Sequence, residues 1–582
     1  MKRKFLAFCG AILMTVTANA QAPNANTQFK ALTEKYFTNV YFRYSPTAGT
    51  LAGFHEFDPA LEDYSRDGIN AQIAALKGYQ ARFAAIPEAK LDELNRSDLA
   101  IVQSNILSTL LTLEVIRPWE KNPDEYSGNI TNSIFSIMER TYSTPTARLK
   151  SLTTREQKIP AALEAARKNL VNPPQIYTQI AIDQLPGIIS FFQNDVPAAF
   201  SSVTDDRAKT DFAIANNNAV VALSSYLDWL KRDLLPRSHG DYRIGAETFR
   251  KKLLYDEMVD IPLDKLLEIG YADLHKNQAE FNRIAHQISP DKTPEQVLDE
   301  LGQNHPAPDK LLDAFHETFD GLIKFIREKH IVTIPSDVRP ILEETPPFMR
   351  AITFASMDTP GPYEKEATEA YFNVTLPDPK MTPAEVEGYM HAFNIGTVVS
   401  TSVHEAYPGH YIQFLFVPNA PSKVRKLLGA NTNVEGWAHY CEQMMLDEGY
   451  GQPGTGAKDE HEAKLLRLGQ LQDALLRNAR FVVGIKMHTG KMSFEEAVDF
   501  YVKEGYQSHE SAMVETRRST SDPTNLYYNL GKQQILKLRE DMKKKQGAAF
   551  SLEKFHDSFL EQGFPPVKIV RKALLGDDSP TL

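Results

Sequence analysis

Apolar residues return every three or four positions through most of this 582-residue chain, and that spacing restricts it to helices that each bury one stripe. Between Leu263 and Leu274 the stripe is Leu263, Leu266, Leu267, Tyr271 and Leu274. Comparable patterns fill roughly 70–120, 145–170, 205–235, 260–290, 308–330 and 460–505. The expected fold is therefore mainly α. No Gly/Ser-rich linker, internal repeat or low-complexity tract interrupts the chain. Residues 21–582 are thus expected to form one large unit, although the length would permit about three or four domains.

One stretch departs from the pattern. Between Ile331 and Pro383 prolines are frequent, and β-prone runs occur at Val332-Thr333-Ile334 and at Ala370 to Leu376, bounded by Pro-Gly-Pro and Pro-Asp-Pro. A small sheet is expected there. Thr382-Pro383-Ala384-Glu385 then reads as a capping box with proline at the first helical position, so the chain re-enters helix. The sheet should lie next to the helix that carries His404-Glu405, the candidate active-site helix. A strand through Tyr371 and Asn373 either offers a peptide an edge to pair with or closes a sheet.

Residues 1–20 read as a secretory signal: Lys2-Arg3-Lys4, an apolar run from Phe5 to Val16, then Ala18-Asn19-Ala20. The protein is expected to cross the inner membrane and reside in the periplasm. Cys9 raises the alternative of a lipoprotein, but Phe8 stands where a small residue belongs. The apolar run is shorter than the roughly 20 residues of a spanning helix, and no other stretch is expected to span a membrane. Cys441 is the sole cysteine left after cleavage, so no intramolecular disulfide can form and a core must supply the stability. Net charge is −11, or −14 without the signal cations Lys2, Arg3 and Lys4. That balance argues against nucleic acid as a partner.

The chemistry concentrates at Val403-His404-Glu405-Ala406-Tyr407-Pro408-Gly409-His410. In a His-Glu-x-x-His helix both histidines face one metal and the glutamate serves the attacking water. Here the second histidine comes six residues after the first, about 240° away on an unbroken helix. Either the helix breaks at Pro408, or this is not a metal site. Pro408 cannot donate the helical hydrogen bond, and Gly409 makes a turn cheap. A hydrolytic zinc site needs a third ligand. In Val434 to Glu442, Glu435, His439 and Glu442 share one face. Glu435 is either that ligand or the end of a capping box, Thr432-Asn433-Val434-Glu435. The segment Glu515 to Gly531 offers Arg517, Arg518, Tyr527 and Tyr528. These could steady an oxyanion, or pair with Glu515 and pack a core edge. His509-Glu510 and His55 read as structural.

Together these segments resemble the DUF885 domain family, relatives of the zinc metallopeptidases of gluzincin type. The resemblance rests on His404-Glu405-x-x-Pro408-Gly409-His410, on Glu435-Gly436-Trp437-Ala438 through Glu442, and on Glu515-x-x-Arg518 followed by Pro523. Weaker similarity occurs at Ser45-Pro46 through Asp58 and at Tyr371 to Val374. It implies one zinc ion on His404, His410 and Glu435, with Glu405 as base. Two departures stand out. His439 replaces a usually apolar residue, and the late motif reads Arg518-Ser519 and then Pro523-Thr524-Asn525 where the family usually has Arg-Tyr and then Pro-Gly-Gln-Ala.

The expected function is that of a secreted zinc metallopeptidase acting on short peptides. Glu405 is the expected general base, Tyr528 or Arg518 the oxyanion partner, and the strand through Tyr371 and Asn373 the substrate rest. Two alternatives are a non-catalytic peptide-binding protein and a metal-dependent hydrolase of other amides or esters.

Overall fold

A computed structural model describes residues 24–346, 350 and 353–582. The signal segment and Cys9 lie outside the described residues. The chain is 71 % helix and 3 % strand, as the periodicity predicts. The stripe beginning at Leu263 belongs to a helix over Leu263–Ile288 that buries Leu266, Gly270 and Leu274. Its partner is the 29-residue helix Glu460–His488, and Phe481 of that helix lies directly against Gly270.

Apolar side chains collect into adjoining cores. One is built from the N-terminal helices, including Phe37, Phe83, Leu99 and Val102. A second runs from Leu61 to Leu234. The third surrounds the His-Glu helix, with Phe319, Phe372, Tyr407, Trp437 and Phe559. The N-terminal core also takes in Val424, Leu428 and Ile569, which ties the two ends of the chain into one unit.

One membrane expectation needs correcting. The described helical stretch Glu93–Lys121 is long and apolar enough to cross a membrane by length and composition. It also carries the buried polar residues Asn95 and Asp98 and seats Leu99, Val102 and Ile106 in the N-terminal core.

The small sheet lies where the prolines cluster, with strands β1 (Ile341–Glu344), β2 (Ala355–Asp358) and β3 (Tyr371–Val374) in the order β1, β3, β2. β3 pairs parallel with β1 and antiparallel with β2. Val332-Thr333-Ile334 is not a strand, because the Asp557 carboxylate accepts both the Thr333 N–H at 2.9 Å and its hydroxyl at 2.7 Å. A side chain thus takes the place of a ladder. The capping box forms as expected: Glu385 accepts the Thr382 N–H at 2.7 Å, and the Thr382 hydroxyl accepts the Glu385 N–H at 3.3 Å.

Candidate metal centre

The His-Glu helix runs Ile395–Glu405, started by Asn394, whose Oδ1 accepts the Thr397 N–H at 3.0 Å. It ends where the sequence requires. Ala406 and Tyr407 both donate to the Ser402 carbonyl at 3.0 Å, and Gly409 donates back to the Val403 carbonyl at 2.9 Å. A new helix starts at His410. The Trp437 indole N–H holds the Pro408 carbonyl at 3.0 Å, which pins the turn to the Glu435 helix. His410 swings back, and the two imidazoles meet edge to face with centroids 4.9 Å apart.

Gly409 leaves no room for a side chain. A Cβ there would lie 1.8 Å from the His404 carbonyl oxygen and 2.3 Å from that of Val403. Both obstacles are backbone, so nothing nearby can give way. Gly409→Ala is expected to cost about 3 kcal/mol and to lower metal retention. Denaturant unfolding with metal analysis checks this, and unchanged values would show that the turn is not required.

Glu435 lies on the helix Asn431–Asp447, which starts from Ala430 with no side-chain cap. The capping-box alternative is therefore not realised. Glu257 caps the helix from outside: its carboxylate accepts the Thr432 N–H at 2.8 Å, the Thr432 hydroxyl at 2.7 Å and the Asn431 N–H at 3.2 Å. Burial pushes the Glu257 carboxyl up to about 7, against those hydrogen bonds. Glu435 is thereby left to face the histidines. This helix crosses Tyr527–Gln546 at two glycines, where a Cβ on Gly436 would sit 2.6 Å from the Gly531 Cα. Such a close crossing brings Tyr528 up to the histidines.

The resulting geometry suits a dication. His404 Nε2 and His410 Nε2 each lie 3.4 Å from one oxygen, Glu435 Oε2. Ligand atoms about 2.0–2.1 Å from a tetrahedral zinc are about 3.3–3.4 Å apart, so the spacing matches a tetrahedron edge. Behind His404, Nδ1–H donates to Glu442 Oε1 at 2.6 Å, which directs the Nε2 lone pair into the site. Glu442 also receives His439 Nδ1–H at 3.1 Å and Arg477 at 3.2 Å.

The charges agree with this arrangement. Burial would raise Glu435, but the adjacent His404 and His410 hold it well below the usual carboxylate range. Burial would lower His404, yet hydrogen bonds to Glu435 and Glu442 lift it to about 10. Positive charge is thus favoured at the point where a dication would sit. For His439, burial and then Lys532 outweigh Glu442 and push the imidazole down to about 3. His439 is therefore neutral and acts by positioning Glu442.

Glu405 stands beside the histidines, with a carboxylate oxygen within 4.8 Å of a ring nitrogen of each. Its Oε2 accepts the Met357 N–H of β2 at 3.2 Å. On the opposite side, the Tyr528 hydroxyl accepts from Arg518 Nη2 at 3.0 Å, and the Tyr528 ring centroid lies 6.4 Å from that of His404. Arg477, Arg480 and Arg518 surround the Tyr528 ring at 5.8, 5.0 and 5.8 Å. Burial, then Glu435, raises the phenol, with Arg480 and Arg518 opposing, so Tyr528 keeps its proton near neutral pH. Tyr527 turns away and donates to Asp522 at 2.8 Å.

Other sequence expectations fall elsewhere. Glu515 forms a two-pronged pair with Arg480 at 2.6 and 2.8 Å, not with its own helix neighbours. Arg517 points to Asp183 at 3.7 Å. His55 is structural: it stacks on Tyr142 and pairs with Asp58 and Glu364 at 3.2 and 2.8 Å. His509 starts an exposed helix end.

The strand carrying Tyr371 and Asn373 must also be reassigned. β3 is the middle strand with both edges paired, so it has no edge to offer a peptide. Asn373 is buried, and the Tyr371 ring lies under Arg140. The outer edges belong to β1 and β2, and β2 is the one that reaches the His-Glu helix, through the Met357 N–H on Glu405. The Phe354 carbonyl accepts the Thr375 N–H, and strand alternation then turns the backbone groups of Ala355 and Met357 away from β3, where the Ala355 carbonyl accepts the Thr353 hydroxyl and the Met357 N–H donates to Glu405.

Arg477, Arg480, Glu257 and the β2 edge are not among the residues that the sequence singles out. The two arginines do leave a signal, since they sit three residues apart in the largely apolar stretch Leu465 to Ile485. Glu257 leaves none.

Known proteins agree with the fold without naming a reaction. None of the curated proteins matches the chain. A candidate lipoprotein of unknown function from Shewanella oneidensis is similar, with 27 % identity, a TM-score of 0.77, and coverage of 95 % of this chain and 100 % of that one. A candidate lipoprotein from Colwellia psychrerythraea shares the fold at 18 % identity and TM-score 0.78, over 95 % of this chain and 99 % of that one. The family model described as bacterial protein of unknown function, DUF885, matches residues 46–574, and the chain belongs to that family.

Proposed function

We propose that this protein is a zinc-dependent metallopeptidase that cuts short peptides. The observation that carries this reading is the convergence of His404 and His410 on one oxygen of Glu435 at 3.4 Å, with Glu405 alongside. Zinc held by His404, His410 and Glu435 would polarise the scissile carbonyl and lower the pKa of water toward neutrality. The chain's own residues supply the rest. Glu405 accepts a proton from the attacking water and passes it to the leaving amine. Tyr528 offers its hydroxyl hydrogen to the developing oxyanion. Arg518, already bonded to that hydroxyl, holds the phenol in place. The peptide would lie along the outer edge of β2, whose Met357 N–H reaches Glu405.

Export fits this reading. The signal-like residues 1–20 and the similarity to candidate lipoproteins of two other bacteria support a location in the cell envelope.

Incubating the mature chain with a mixed peptide library tests the proposal. Cleavage is expected with zinc, loss with a chelator, and recovery on adding zinc back. An uncut library in the presence of zinc overturns it. Tyr528→Phe removes the donor with little change in volume. Its kcat is expected to fall about 10²–10³-fold with KM within a few-fold. An unchanged kcat would remove Tyr528 from the mechanism.

A further inference from the structure

A second cluster repeats the arrangement of the first at the other end of the His-Glu helix. His305 lies between the helix Pro294–Gln303 and the turn Pro308–Lys310. Glu387 is on the helix Pro383–Met390, and His391 opens the turn that follows. His305 Nε2 lies 3.2 Å from Glu387 Oε1, and His391 Nε2 lies 3.8 Å from the same oxygen. One atom from each of the three comes within 4.8 Å of the other two.

The hydrogen-bond partners decide which ring nitrogen of His305 faces the carboxylate. His305 Nδ1 is 2.8 Å from the Pro306 carbonyl, which can only accept, so Nδ1 carries the hydrogen. On a neutral ring the Nε2 lone pair then faces a carboxylate oxygen. Two acceptors in that position need a cation between them, either a proton or a metal. Backbone carbonyls hold metal-binding histidines in this way. His391 is seated by Gly302, where a Cβ would press on its Nδ1 at 3.1 Å. Glu387 is 62 % exposed and His391 33 % exposed, so an ion can enter from solvent and keep water as a further ligand.

We infer that His305, Glu387 and His391 form a second, structural site for a divalent transition metal such as zinc, separate from the His404 centre. Imidazole and carboxylate ligands suit zinc, cobalt, nickel and copper better than calcium or magnesium. The ion would join two segments that are distant in the chain, one carrying His305 and the other carrying Glu387 and His391. It would also brace the catalytic helix, because the Asn304 carbonyl next to His305 accepts the Ile395 N–H at 2.9 Å, the first residue of the helix that ends in His404-Glu405.

The test is a zinc titration of the metal-stripped mature chain, with bound metal counted after desalting. Wild type is expected to take up two equivalents, Glu387→Gln and His391→Ala one each, His404→Ala one, and His391→Ala with His404→Ala none. Zinc should raise the melting temperature of His404→Ala but not that of the double variant. Glu387→Gln guards against misfolding, since that side chain is exposed. Should the His404 centre itself fail to bind, wild type and His404→Ala would each take one equivalent and His391→Ala none, which still supports the second site. If both Glu387→Gln and His391→Ala bind zinc as wild type does, in amount and within threefold in affinity, the cluster holds a proton instead and the inference is overturned.

Discussion

Glu405→Gln is expected to remove peptide hydrolysis while zinc remains bound in full. The amide keeps the length and shape of the side chain, and its oxygen can still accept the Met357 N–H that Glu405 Oε2 accepts at 3.2 Å. The proposed metal ligands His404, His410 and Glu435 are untouched. What disappears is the capacity to take a proton from water and return it to the leaving amine. A general base of this kind contributes about 10²–10⁴-fold, and kcat/KM should fall by that factor. Metal analysis on the same sample separates lost chemistry from lost zinc. Activity within tenfold of wild type would rule out Glu405 as the base, whatever the metal content.

The second large effect is expected at Glu442, which touches no proposed substrate. Its side chain is fully buried, and it accepts from His404 at 2.6 Å and His439 at 3.1 Å while pairing with Arg477 at 3.2 Å. Burial would raise this carboxyl, but Arg477, His439 and His404 hold it well below the usual range. Glu442→Ala leaves two buried ring N–H groups without their acceptor and Arg477 with Asp473 as its remaining partner. Removing one partner of a buried charge pair costs about 3–5 kcal/mol, and denaturant unfolding should register a loss of that size. Glu442→Gln keeps the volume and one acceptor, so a smaller stability loss is expected. Zinc affinity should still drop about 10–100-fold, because the orientation of His404 depends on that carboxylate. If Glu442→Gln binds zinc as wild type does and Glu442→Ala is destabilised by less than about 1 kcal/mol, the positioning role fails.

The parts of this protein that depend on neighbours along the chain are legible in the sequence. The helix over Leu263–Ile288, the capping box at Thr382 and the end of the helix ahead of Pro408 all arise from groups within about one turn of each other. The placement of His404, Glu405 and His410 is legible for the same reason: Pro408 and Gly409 can terminate a helix with no outside help. Glu435 is ambiguous between ligand and cap, and a residue from a distant helix decides it. Glu257 occupies the helix terminus and leaves Glu435 to face His404 and His410. Likewise Tyr527 and Tyr528 are equivalent in sequence. The close crossing at Gly436 and Gly531 determines that Tyr528 approaches His404.

The sheet shows the same division. β-prone composition locates β3 at Tyr371 but cannot say that β1 and β2 flank it, because pairing is a contact between segments and register depends on what each face must bury. The outer edges therefore belong to β1 and β2 and not to β3. From sequence alone come a mainly helical chain and a motif that must break its helix to work. Tertiary structure alone decides which carboxylate faces the two histidines, which tyrosine approaches them and which strand edge lies beside Glu405. Those choices are made by buried charges and close backbone approaches between segments far apart in the chain, and local spacing carries no record of them.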